Sequence, residues 1–441
     1  MSKLHHASAH RLATLALPLL AFAALFAILS AVNGSPPAPP TAASAALDAP
    51  AATQSTAQLV GELQAALGDD PSDPALYDQL GDAYYQRARE TGDPAYYSRS
   101  QRAYDAALAR DPGDPLATVG AGTLALARHD FAAGLRLGLR AHRLAPDLVR
   151  PYAVIADAQV ELGRYGPAAR SIDRFVGLKP TLAAYARVSY FRELHGDLDG
   201  AAGAMRLAVS AGGGSPENLA YVDSLLGKLE IDRGRYGAAG HAYREALAAD
   251  PGFPAATAGL ARVAAAAGHL DLAIARYRDV VDRLPLPEYV IGLGETEIAA
   301  GRESSARRDL ALVGVEARLL RSAGVNVDAE LAVYEADHGN PARAVALGRS
   351  AWRRAPSVRS ADAYAWALHS AGDDDAALAM SDEALRLGSR DPSFLYHAGA
   401  ISADAGATGR ARRILETLTE QSPRFSPLYG PRAERLLRSL G

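Results

Sequence analysis

The stretch GKLEIDRGRYGAAGHAYREALAADP, residues 227–251, decides how the chain is read. Gly234 stands where a helix must stop, in the left-handed conformation that glycine adopts without strain. Tyr236, two positions on, is placed to cover the preceding turn. Ala239, five positions on, falls on the next helix, where a short side chain lets two helix axes approach. Gly227, seven positions before the turn, is a small residue on the opposing helix, and Pro251 closes the second helix because proline cannot continue one. The stretch reads as a tightly packed antiparallel helix pair.

Working outward, the same punctuation returns. Gly163, Gly196, Gly234, Gly268, Gly301, Gly339, Gly372 and Gly406 recur every 33–38 positions, each followed five residues later by an alanine. Counting back seven positions, and extending the register to the first units, gives only small residues: Gly81, Gly122, Ala156, Ser189, Gly227, Ala261, Gly294, Ala332, Ala365 and Gly399. Closing prolines return at Pro112, Pro146, Pro180, Pro251, Pro285, Pro356 and Pro423. One such helix pair exposes apolar residues on both flanks and cannot bury them alone. Stacked neighbours remove that area from water at ~25 cal/mol per Å². The expected core is the ladder Tyr104, Ile172, Met205, Tyr243, Tyr277, Leu310 and Leu415, with Phe175, Val280 and Leu418 beneath.

The pattern resembles the tetratricopeptide repeat family, W-x2-L-G-x2-Y, then A-x3-F, then A and P, in 34 residues. Tyr77, Leu80-Gly81 and Tyr84 match the first helix of the opening unit, and Tyr104, Ala107 and Pro112 match its second, after about seven inserted residues. Ala239, Tyr243, Ala246 and Pro251 form the best single match. The resemblance covers more than four-fifths of the chain. It implies an all-α fold: an α-solenoid of about ten tetratricopeptide-type helix hairpins with a C-terminal capping helix, forming one curved rod over 73–441. The units fall near 74–114, 115–148, 149–181, 182–219, 220–253, 254–286, 287–324, 325–357, 358–391 and 392–425, with the cap at 427–440. His129 replaces the turn glycine of the second unit, and extra residues near 211–218 and 321–326 predict local irregularity.

Ahead of the repeats, LATLALPLLAFAALFAILSAV (12–32) is a 21-residue uncharged run preceded by Lys3 and Arg11. It is long enough to span a bilayer, and the preceding positive charge leaves the N-terminus in the cytoplasm with the rest outside. Residues 1–33 therefore predict a signal anchor in the cell membrane, with a cleaved signal peptide and secretion as the alternative. Residues 34–72, rich in Pro, Ala and Ser, read as a partly disordered linker, with one amphipathic helix near 56–68.

The 441 residues carry 46 Lys and Arg against 50 Asp and Glu, so nothing in the overall charge suggests a nucleic-acid binder. There is no cysteine, which excludes disulfides, thiol nucleophiles and Cys-ligated metals. Abundant Ala, Gly and Arg look like the coding bias of a high-GC bacterium. His5, His6 and His10 precede the apolar run, while His129, His195, His269 and His338 fall at the inter-helix turns, one per unit. No HExxH, GxSxG or phosphate loop occurs, and Gly120-Ala121-Gly122 lies within a helix rather than after a strand. Asp373-Asp374-Asp375 suits a helix N-terminus better than a cation loop. The expectation is no enzyme, no cofactor and no metal.

In the family, first helices line a concave surface where ligand peptides lie. On these repeats the inward positions include Asp78, Asp82, Tyr85, Tyr190, Glu193, Lys228, Arg262, Trp366, His369 and Tyr396, with Val119, Thr123, Asp157 and Glu295 on the same stripe. Trp366 and His369, one turn apart, form the favoured contact pair, since Trp is enriched at binding hot spots. The function expected is a non-catalytic scaffold holding a protein or peptide partner outside the cytoplasm. The alternatives are a regulatory or assembly subunit of a cell-envelope enzyme complex and, third, an envelope hydrolase.

Overall fold

The computed structural model describes residues 55–212 and 216–441, and every regular element among them is an α-helix. The apolar run 12–32 and residues 34–54 of the linker lie outside the described residues. Within the described residues no helix is long and apolar enough to cross a membrane.

A leading helix, α1 (Thr56–Asp69), opens with a capping box between Ser55 and Gln58. Ten hairpins follow. They are α2 (Pro74–Thr91) with α3 (Ala95–Arg110), α4 (Pro115–Ala127) with α5 (Phe131–Leu144), and α6 (Arg150–Glu161) with α7 (Tyr165–Leu178). Next come α8 (Leu182–Leu194) with α9 (Leu198–Ala211), α10 (Pro216–Asp232) with α11 (Tyr236–Ala249), and α12 (Pro254–Ala266) with α13 (Leu270–Arg283). The last four are α14 (Pro287–Ala299) with α15 (Glu303–Ser322), α16 (Asp328–His338) with α17 (Pro341–Arg354), α18 (Val358–Ser370) with α19 (Asp374–Leu385), and α20 (Pro392–Asp404) with α21 (Thr408–Gln421). The cap is α22 (Tyr429–Ser439).

First helices start sharply for local reasons. Asp73, Asp114 and Asp391 accept hydrogen bonds from free backbone N–H groups, and a proline at the first helical position loses no bond there. Within a hairpin, the small residue of the first helix receives a large one from the second. A β-carbon on Gly81 would lie 2.6 Å from the Tyr104 ring, and one on Gly227 would lie 2.7 Å from Tyr243. Gly294 meets Leu310 and Gly399 meets Leu415 in the same way. Gly120, Gly259 and Gly292, on the first helix of the next hairpin, close over the other side of Tyr104, Tyr243 and Tyr277. Every residue of the expected ladder is buried.

Seven of the eight punctuating glycines have positive φ; Gly339 does not, at φ −127°. Asn340-Pro341 is the reason. The residue before a proline is held extended, and Asn340, at φ −111°, caps α17 through its side chain, so this turn is made without a left-handed residue. His129 takes the left-handed place of the missing glycine at φ 59°. In the seventh hairpin the extra residues lengthen α15 to 20 residues and then form a bridge from Val325 to Val327.

That bridge shows how the rod is wound. The Asn326 N–H donates to the Arg128 carbonyl, and the His129 ring contacts the Asn326 carbonyl. The Val358 N–H donates to the Tyr165 hydroxyl at 2.8 Å, 193 positions away. The Ser422 hydroxyl donates to the Ile231 carbonyl at 2.7 Å, 191 positions away, and Gln421 donates to the Asp232 carbonyl. Successive inter-helix turns thus touch links five to six hairpins further on. The rod completes a turn and closes on itself along a seam. Inward positions of the early hairpins become core: Val119 and Thr123 are buried, and Leu124, Val154, Val290 and Leu331 share one apolar cluster.

Candidate functional site

The early hairpins pack inward residues such as Val119 and Leu124 into core; alongside the later ones lies a cavity of about 1180 Å³. Its wall comes from the inner faces of α10, α12, α14 and α20, with Tyr277 reaching in from α13. At one end Arg89, at the close of α2, pairs with Glu217 of α10 at 2.6 Å, and Gln86 donates to the same carboxylate. Phe425, Ser426, Pro427 and Tyr429, from the link before the cap and its first residue, also line the cavity. Tyr221, Tyr243, Tyr277, Tyr289, Tyr396, Phe253 and Phe425 make the lining strongly aromatic.

The charged groups fall into separate clusters. Lys228 reaches Asp232 at 2.5 Å, Glu193 at 2.9 Å and Asp391 at 3.8 Å. Burial works against that ammonium, but the three carboxylates overcome it and hold its pKa well above the usual range. Burial also opposes the charge of Arg262, and the nearby Tyr243, Asp232 and Tyr277 more than compensate, so it stays cationic. Glu288 is different: burial, aided by Glu330, pushes its carboxyl up to about 8.

Among the described residues two groups have the residue types of a metal site. Glu193, Asp232 and Asp391 already surround Lys228, which supplies the positive charge. Glu295, Asp337 and His338 form the second, at the cavity edge, with one ligand atom each within 4.8 Å of the others. The Trp366 indole donates to Asp337 at 3.0 Å, and burial raises the Glu295 pKa against the lowering effect of His338.

Of the ten inward residues read from the sequence, Lys228, Arg262 and Tyr396 line the cavity. Glu193 is held by Lys228. Trp366 and His369 do stack, with ring centroids 5.0 Å apart, but Trp366 is buried and stacks more closely on His397, at 4.3 Å. Asp78, Tyr85 and Tyr190 are buried within the early hairpins, and Asp82 accepts from the Tyr104 hydroxyl. Asp157, on the same stripe, is locked to Arg187 by two bonds of 2.6 and 2.8 Å. The cavity residues that the repeat register missed are Tyr277 and Tyr289, which look like ordinary core, and Phe425, which looks like part of the cap.

A tetratricopeptide repeat family model matches residues 230–295, the region of the lumen wall. Among solved structures, the human IFIT1 dimer with PPP-AAAA is 15% identical, with 72% of this chain and 73% of that chain covered and a TM-score of 0.46. PilW, a widely conserved type IV pilus biogenesis factor, is 18% identical over 47% of this chain and 97% of that one, at 0.38. MamA is 18% identical over 38% and 91%, at 0.30. The comparison with curated proteins found no match. Residues 230–295 thus carry tetratricopeptide repeats, and the described residues have the fold of an α-solenoid of tetratricopeptide-like hairpins.

Proposed function

We propose that this chain is a non-catalytic scaffold that holds an extended protein or peptide segment in its lumen, outside the cytoplasm. The lumen carries the reading. Its volume of about 1180 Å³ exceeds the ~300–1,000 Å³ of ordinary small-molecule sites. Its wall is rich in tyrosine, which supplies large contact area at low entropic cost together with a hydroxyl for the partner's backbone. Arg262, Glu288 and Glu295 in the lining offer both signs of charge to such a segment. The location rests on the sequence: the uncharged run 12–32 behind Lys3 and Arg11 is suited to anchor the chain and export the repeats.

The test is photocrosslinking in the native envelope, with a benzophenone side chain at Phe253, inside the lumen, or at Leu272, which is 45% exposed on the outer face. A defined partner segment should be captured from position 253 and not from 272. Ala255→Trp, which narrows the lumen, should abolish capture. Equal capture from both positions, or turnover of an envelope substrate by the purified chain, would rule the proposal out. A C-terminal alkaline phosphatase fusion should be active, since that enzyme matures only outside the cytoplasm; an inactive, stable fusion contradicts the location.

A further inference from the structure

We infer that Glu295, Asp337 and His338 form a binding site for a divalent transition cation of the zinc type at the edge of the lumen. The three side chains come from two neighbouring hairpins, Glu295 from the middle of α14 and the other two from the last turn of α16. One imidazole nitrogen and two carboxylate oxygens are a donor set suited to zinc and its first-row neighbours. Coordination at about 2.0–2.2 Å would bring the donors to about 3.4 Å from one another. His338 Nε2 and Glu295 Oε1 are already 3.6 Å apart, and all three donors fall within 4.8 Å.

A second observation, independent of the clustering, points to a ligand. The His338 side chain is only 10% exposed, and its Nε2 is buried without a hydrogen-bond partner. A buried polar atom left in this state costs about 1–3 kcal/mol, a cost that an ion bound between His338 and Glu295 would remove. The surroundings are also built to orient ligands. The Trp366 indole fixes one oxygen of Asp337 at 3.0 Å, as outer partners of metal-binding carboxylates do, and Tyr334 packs against the His338 ring at 5.8 Å. Among the described residues, Arg432 is the other cation acting on Glu295; it lies over the Tyr429 ring at 5.2 Å and makes no ion pair with Glu295 within 4.0 Å. Glu295 and Asp337 both face the cavity, so the remaining coordination positions open into the lumen, where water or a carboxylate of a bound segment can complete them.

The test uses the full chain with His5, His6 and His10 replaced by alanine, because those three histidines would bind the same metals. Zn²⁺ is titrated in competition with a chromophoric chelator, and Co²⁺ is added separately to read coordination geometry from its visible absorption. One equivalent of Zn²⁺ should bind, and Co²⁺ should give the intense bands of a low-coordinate N/O site. His338→Ala should weaken Zn²⁺ binding by more than about 100-fold and Glu295→Gln by at least about tenfold. His241→Ala, an exposed histidine outside the cluster, should leave it unchanged. Where His338→Ala does not fold by circular dichroism, Glu295→Gln, which keeps the side-chain shape, carries the comparison. No saturable binding below about 1 mM Zn²⁺ overturns the inference, as does binding that both variants leave intact.

Discussion

The α-carbon of Gly234 packs against the carbonyl oxygen of Gln421, leaving no room for a β-carbon between the fifth hairpin and the tenth. Gly163 meets the Pro356 carbonyl and Gly196 the Gly388 carbonyl in the same way. Gly268, Gly301, Gly372 and Gly406 share the positive φ but have open space around them. The same residue thus does one job in the seven repeats where it is left-handed and a second only along the seam. Gly268→Ala and Gly406→Ala should each cost about 1–2 kcal/mol, the price of a left-handed alanine. Gly196→Ala and Gly234→Ala should cost clearly more, and they should enlarge the radius of gyration in solution scattering. Equal losses at all four sites would mean that the seam contributes nothing.

Tyr243 lies between Gly227 of its own hairpin and Gly259 of the next, and both would clash with its ring if they carried a side chain. Gly259→Ala should therefore destabilise by about 1–3 kcal/mol through overpacking, although alanine is the better helix former. Gly203, inside α9 with nothing near its missing side chain, should respond the opposite way. Gly203→Ala should stabilise by about 0.5–1 kcal/mol. Denaturation midpoints of the two variants check the contrast in sign.

The hairpins were legible in the sequence because their causes are local. A turn glycine, a small residue seven before it and an alanine five after it are all set by the contact of one helix with the next. The seam was not legible. Ile231, Tyr236, Ser422 and Arg424 meet through backbone groups and two hydroxyls, which leave no periodic trace. The seam in turn determines which inward positions become core and which face a cavity. Lys228, Arg262 and Tyr396 could be read as inward from their register, but so could Asp157 and Tyr190, which winding buries. Gly339 shows a local limit: Asn340-Pro341 fixes the backbone by a different rule from the one that glycine follows elsewhere.

Asp157 and Arg187 are almost wholly buried, and each satisfies the other. Removing one partner leaves a charge in the core. Asp157→Ala should cost about 3–5 kcal/mol, whereas replacing both by apolar residues of similar volume, Asp157→Leu with Arg187→Met, should cost far less. A thermal melt of the double variant no better than that of the single one would contradict this account of the pair.

Glu288 and Glu316 have carboxyls raised by burial, to about 8 and about 7. Unfolded, both return to about 4.3, so the folded chain holds more protons than the unfolded one between these values. Stability contributed by these groups is therefore present below about pH 4 and lost as pH rises toward 8. Glu288→Gln with Glu316→Gln should flatten that decline and stabilise the chain at pH 8.5 by about 1–3 kcal/mol relative to its effect at pH 5. A variant that melts no higher than the parent at pH 8.5 would show that both acids are ionised without penalty in the fold.

The claim beneath all of this is that the repeats wind through more than one turn and close a lumen. Because the chain has no cysteine, Arg235→Cys and Arg424→Cys place two spin labels cleanly on exposed positions beside the seam. The Arg424 N–H donates to the Tyr236 hydroxyl at 2.9 Å. Pulsed dipolar spectroscopy on the full chain should therefore give a narrow distance distribution below about 25 Å, two label lengths beyond that contact. An open curved rod, with five hairpins stacked at about 10 Å each, would put the labels near 50 Å, and that result would contradict the account.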